Sequence, residues 1–141
     1  RTQLLNAYTC TECGRCTSNC PANQTGKKLS PRKIMMDTRD RADELGKAKD
    51  VNGADYHDGK SLHDYISQEE LLACTTCNAC VEACPININP LEIIFGMRQY
   101  QTLEKSNMPS EWAMMNSNIE NNQAPWQFSP SDRANWTNDI I

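Results

Sequence analysis

Eight cysteines in two identical settings constrain this chain more than any other feature. Cys10, Cys13, Cys16 and Cys20 recur 64 residues later as Cys74, Cys77, Cys80 and Cys84. Each set spells C-x-x-C-x-x-C-x-x-x-C-P, closing on Pro21 and Pro85. Thr11 and Thr75 match as well, little else does, and no cysteine is left over. A fold for this sequence has to keep two such loops intact.

The remainder offers little else to hold a fold. Hydrophobic residues make up 38% of the 141 positions and aromatics 6%, thin material for a self-sufficient apolar core. A formal net charge of -4 carries no general attraction for phosphate backbones, which argues against nucleic acid as a partner. No apolar run approaches the roughly 18 residues that cross a bilayer; the richest patch, Leu91–Met97, is broken by Glu92 and Gly96. The opening Arg1-Thr2-Gln3-Leu4-Leu5 lacks the apolar stretch of a signal peptide, and a start on Arg reads as a piece of a longer protein.

Helical signals fill the spaces between the motifs. Leu4, Leu5, Ala7 and Tyr8 form a lead-in to the first. Ser30 as N-cap and Pro31 at the first position open a helix with Ile34, Met35, Thr38, Ala42 and Leu45 on one stripe, and Gly46 is its expected stop. Positions 47–60 read as a mobile polar loop. Ser67-Gln68-Glu69-Glu70 is a capping box leading through Leu71, Leu72 and Ala73 into the second motif. Asn89-Pro90 starts a helix bearing Leu91, Ile93, Ile94, Phe95, Met97, Tyr100 and Leu103. Pro109-Ser110 starts a shorter one with Trp112, Met115 and Ile119, and Ser129-Pro130 is a third cap-like start. No stretch alternates like a strand. The expected fold class is all-α, with a dicluster domain at 1–108 and a helical extension at 109–141 that packs on it or leads to a further domain.

Three chemistries use clustered cysteines. A disulfide framework belongs to oxidising compartments and is better served by cysteines spread through separate loops. A structural zinc site pairs two C-x-x-C elements across a longer loop, whereas three thiols here fall within seven residues. Covalent haem needs Cys-x-x-Cys-His, and Gly14, Thr17, Asn78 and Val81 occupy the histidine places. Iron–sulfur clusters suit the run best. In two-cluster proteins with this spacing the fourth Cys serves the other cluster. One [4Fe-4S] cluster then takes Cys10, Cys13, Cys16 and Cys84, and the second takes Cys74, Cys77, Cys80 and Cys20. Cross-ligation staples the motifs together and adds the folding energy that the core lacks. A structural zinc-binding interaction module is the competing reading.

At these residues the chain resembles the α-helical dicluster ferredoxins. The likeness rests on Cys10-Thr-Glu-Cys-Gly-Arg-Cys-Thr-Ser-Asn-Cys-Pro21, Leu29-Ser-Pro-Arg-Lys33 and Ala73-Cys-Thr-Thr-Cys-Asn-Ala-Cys-Val-Glu-Ala-Cys-Pro-Ile86. The long helical segment between the motifs is similar to the iron–sulfur modules of succinate dehydrogenase and anaerobic glycerol-3-phosphate dehydrogenase. It is most similar to those of heterodisulfide-reductase-related iron–sulfur oxidoreductases. Ile119-Glu-Asn-Asn-Gln-Ala-Pro-Trp126, with Arg133 and Trp136, resembles the end of that module, although Gln127 stands where many relatives have Gly. The resemblance implies a module that relays single electrons through two [4Fe-4S] clusters and has no substrate site of its own. It implies partners in a redox complex: a membrane cytochrome-b-like region or a flavoprotein, and a cysteine-rich catalytic domain. It implies a cytoplasmic place, at the membrane face. No Cys-Cys-Gly motif occurs, so that catalytic region lies elsewhere.

Other side chains carry plainer expectations. Arg15, Lys27, Lys28, Arg32 and Lys33 sit around the first motif and read first as a solvated basic face, second as charges that offset a cluster. Trp112, Trp126 and Trp136 are expected first to pack over the helices and second to dock another domain. Met35, Met36, Met114 and Met115 read as gap-filling hydrophobes, and His57 and His63 as loop residues without a ligand role.

Overall fold

Helices are the regular elements of the computed structural model, which describes residues 1–127 and 129–140, the side chains of Pro130 and Asp139 apart. No strand occurs among the described residues, so the all-α expectation holds. Positions 128 and 141 of the expected C-terminal extension lie outside them. The helices are α1 (Thr2–Thr9), α2 (Arg15–Ser18), α3 (Pro21–Gln24), α4 (Pro31–Asn52), α5 (Gln68–Leu72), α6 (Ala79–Glu82), α7 (Leu91–Leu103) and α8 (Ser110–Asn122). Short 3-10 turns cover Leu62–Asp64 and Pro130–Ile140. The chain divides into two compact units, Arg1–Tyr100 and Gln101–Ile141.

In the first unit, helix starts follow the local chemistry. The Ser30 hydroxyl accepts from the Lys33 amide at 3.3 Å, with Pro31 at the first helical position of α4. Ser67 and Glu70 close both hydrogen bonds of a capping box at α5. The Asn89 side chain accepts from the Leu91 amide at 3.0 Å and opens α7. The core is small: Leu29, Ile34, Met35, Ile66, Leu71 and Ile94 are its fully buried large residues. Cys20 and Cys80 belong to the same buried cluster.

Helix α4 runs further than its sequence suggests. Gly46 does not stop it; the helix continues to Asn52 and ends at Gly53, which takes φ +100°. A glycine in a helix interior costs roughly 1 kcal/mol, and the neighbours Leu45, Lys47, Ala48 and Lys49 are strong helix formers that outweigh it. The segment after Gly53 is also tied down. Arg41, almost buried, donates to both carboxylate oxygens of Asp58 at 2.7 and 2.6 Å and to the Lys60 carbonyl at 2.8 Å. The Tyr65 hydroxyl binds the Glu44 carboxylate.

The second unit holds α8 and the 3-10 turn. Its buried Asn118 donates to the Pro125 carbonyl at 3.0 Å, folding the chain back after α8. The tryptophans depart from expectation: Trp112, Trp126 and Trp136 are 48%, 67% and 64% exposed. One α-helix and a 3-10 turn provide no second layer within this unit to cover them. Met114 and Met115 are exposed for the same reason, whereas Met35 does fill the core of the first unit.

Candidate metal centre

The two cysteine runs fold alike. Glu12 (φ +57°) and Gly14 (φ +81°) bracket Cys13, and Thr76 (φ +59°) and Asn78 (φ +62°) bracket Cys77. These pairs are the same positions of the repeat. Each loop then enters a four-residue helix, α2 carrying Cys16 and α6 carrying Cys80. Left-handed backbone costs about 1–3 kcal/mol at a residue such as Thr76, and survives where surroundings impose it. Left-handed residues within a tight turn also build concave nests of amides that receive anions, iron–sulfur centres among them. A thiolate-ligated cluster is such an anion, so the backbone fits it as well as the sulfurs do.

Packing brings the two runs together. Helices α2 and α6 pack on each other, and α2 also packs on α3 and α4. The Thr17 hydroxyl lies 2.9 Å from that of Ser30 and accepts from the Arg32 amide at 3.2 Å, pinning α2 to the start of α4. Cys10, Cys13, Cys16 and Cys84 line one cavity of about 390 Å³, mouth included, with Cys80 also on its wall. Cys20 and Cys80 are buried, Cys13 and Cys77 exposed, and Cys10, Cys16, Cys74 and Cys84 intermediate. No disulfide joins any of the eight.

Two of the thiols, Cys16 and Cys80, are poor anions where they sit. Burial pushes Cys80 up to about 11, with the charges of Cys74, Cys16 and Cys20 acting in the same direction. Burial also raises Cys16, and Cys10 and Cys13 add to it. A bound metal ion supplies the positive charge that draws the proton off a coordinating thiol. Among the described residues no three Cys, His, Asp or Glu side chains close on the position of a single ion.

Supporting residues come from outside the motifs. Arg98 of α7 donates through Nε to the Leu71 carbonyl at 3.0 Å and through Nη2 to the Cys74 carbonyl at 2.7 Å. It thereby ties the end of α5 to the first cysteine of the second run. Lys33 joins Glu70 at 2.9 Å, Asp37 at 2.7 Å and the Tyr65 carbonyl at 3.1 Å, locking α4 to the same lead-in. Burial acts to raise Glu70, but the Ser67 amide and Lys33 outweigh it and hold the carboxyl below its usual range. Arg39 pairs with Glu12 at 2.7 Å and so braces the left-handed residue beside Cys13. Sequence spacing gave no sign of Arg98. The left-handed positions had one signal, Gly14 and Asn78 at equivalent places, since both residue types tolerate that conformation.

An all-α frame presenting two matched thiol loops defines a class: the two-cluster iron–sulfur electron carriers. The family model for the 4Fe-4S dicluster domain matches residues 9–88, and the chain belongs to that family. It holds two [4Fe-4S] clusters. It is similar to the probable iron–sulfur-binding oxidoreductase FadF of Bacillus subtilis, 31% identical over 96% of this chain and 24% of that protein. It is 30% identical to the EtfAB:quinone oxidoreductase of Syntrophomonas wolfei, over 94% of this chain and 21% of that one. One component of the ferredoxin:CoB-CoM heterodisulfide reductase of Methanosarcina mazei is 29% identical over 67% of this chain and 46% of its own. The chain thus spans under a quarter of the first two relatives. The heterodisulfide-reductase likeness read from the motifs holds, and so does an electron-transfer role. No helix among the described residues is long and apolar enough to cross a membrane.

Proposed function

We propose that this chain is the electron-transfer module of a larger iron–sulfur oxidoreductase. It relays single electrons between a membrane- or flavin-bound partner and a cysteine-rich catalytic domain. The observation that carries the reading is the pair of cysteine loops with the same left-handed backbone, packed against each other through α2 and α6. Each bound cluster supplies one-electron chemistry. The cysteines assigned to the first are Cys10, Cys13, Cys16 and Cys84; those assigned to the second are Cys74, Cys77, Cys80 and Cys20. The shared cavity lining supports the first set.

Exposure supports a direction for the path. Cys13 and Cys77 face solvent and mark where electrons enter and leave, while buried Cys20 and Cys80 lie between. A relative named for a quinone favours a membrane partner, and so a place at the cytoplasmic face of the membrane. The segment 109–141 leads towards the next domain.

Anaerobically purified protein is expected to carry about eight iron and eight acid-labile sulfide per chain, from two four-iron clusters. Stoichiometric zinc without sulfide would make it a structural module instead. Cys20→Ala is expected to remove the EPR signal of the cluster that Cys77→Ala also removes. Loss of the other signal would show that the crossing is wrong.

A further inference from the structure

We propose that Arg32 is the counter-ion of the cluster held by the first cysteine loop and raises its reduction potential. This rests on the proposed role of Cys10, Cys13 and Cys16 as ligands, and adds a tuning residue to it. Arg32 follows Pro31 in the first turn of α4, and its amide is held by the Thr17 hydroxyl one residue after Cys16. Its side chain lines the cavity shared by those cysteines, and Nη1 lies 4.0 Å from where a Cβ on Gly14 would stand.

Its place on the cavity wall singles it out from Arg15, which also lacks a carboxylate partner among the described residues but does not line the cavity. Its lack of such a partner sets it apart from the other nearby arginines. Arg39 is matched by Glu12 and Asp40, and Arg41 by Asp58. Arg98 directs its donors to the carbonyls of Leu71 and Cys74. Arg32 has no carboxylate partner among the described residues, in a chain with 18 acidic side chains to choose from. A cluster held by these cysteines joins water in answering the charge of this exposed guanidinium. Reduction adds one negative charge to a cluster, so a fixed cation stabilises the reduced form more than the oxidised one and raises the potential.

The backbone acts in the same direction on the same wall. The Ile88 amide donates to Cys84 Sγ at 3.3 Å. In the first run the equivalent amide, that of Gln24, goes to the Cys20 carbonyl at 2.9 Å. Two runs of identical spacing therefore surround their sulfurs differently.

Arg32 is exposed, so its replacement leaves the core intact. The test is a potentiometric titration of the cluster-loaded protein followed by EPR, with Cys13→Ser identifying the first loop's signal independently of the crossing. Arg32→Gln is expected to lower the midpoint potential of that signal, with a much smaller shift in the other. Arg32→Lys should restore most of the difference and Arg32→Glu should lower it further. An unchanged potential, or equal shifts of both signals, would overturn the proposal. Cys84→Ser reports separately on ligand sharing: a change confined to the second loop's signal removes the crossed set and leaves the Arg32 result standing.

Discussion

Arg98 shows how a residue outside the motifs can matter as much as one inside. Carbonyl oxygens at the end of a helix lack partners within it, and those of Leu71 and Cys74 are supplied by one planar guanidinium. A lysine offers a point charge without that fork. Arg98→Ala leaves the half-buried Cys74 carbonyl without its donor, at about 1–3 kcal/mol for an unsatisfied group, while the Leu71 carbonyl keeps the Cys74 amide at 3.3 Å. The expected outcome is a lower thermal midpoint and substoichiometric filling of the second cluster, with the first retained. Iron analysis combined with EPR checks this, and equal loss of both clusters would contradict it. Arg98→Lys should recover only part. The cysteines were legible in the sequence because their spacing is local. Arg98 was not, because its partners lie 24 and 27 residues away and nothing in its neighbourhood marks them.

At the scale of elements, α4 and the segment it holds are the instructive case. The N-terminal signals of α4 were readable, since Ser30 and Pro31 act on the backbone beside them. Its end was not, because Gly46 is an equally good helix stop and a tolerable interruption, and the residues beyond it decide. Positions 47–60 read as a mobile loop because their composition is polar, yet 47–52 continue α4 and the stretch beyond Gly53 is held. Its anchor is the long-range pair of Arg41 with Asp58, which no local pattern encodes. Hydrogen bonding from Arg41 holds Asp58 down at about 2. A carboxyl whose folded value is depressed contributes stability above its unfolded value near 3.9 and loses it as pH falls through the folded value. The anchor is therefore intact at neutral pH and releases between roughly pH 4 and pH 2. Asp58→Asn reproduces the release without acid. At neutral pH, amide exchange across 57–61 is expected to become at least severalfold faster, with that of α1 unaltered. Unchanged exchange in this segment would show that the pair does not hold it.

For the whole molecule, the question is what remains when the inorganic centres are taken away. Helices α2, α3 and α6 have four residues each, far below the roughly 12–15 at which an isolated helix is even marginal in water. They owe their existence to packing, and what they pack around is the pair of cysteine loops. The left-handed residues Glu12 and Thr76 add strain with no apolar burial to offset it, since both lie at or near the surface. Helix α4, with 22 residues, its cap and its ion pairs, has more support of its own. Stripping iron with a chelator under oxidising conditions, then reducing the thiols, is expected to cost the short helices and the coupling between the two runs. Part of the α4 signal should persist. Circular dichroism should show a partial loss of helicity and a broad thermal transition instead of a sharp one, because a fold made cooperative by metal ligation loses its cooperativity with the metal. An apo form with full helicity and a sharp transition would mean that the small core around Ile34, Leu71 and Ile94 suffices. The clusters would then be passengers in a frame able to fold without them.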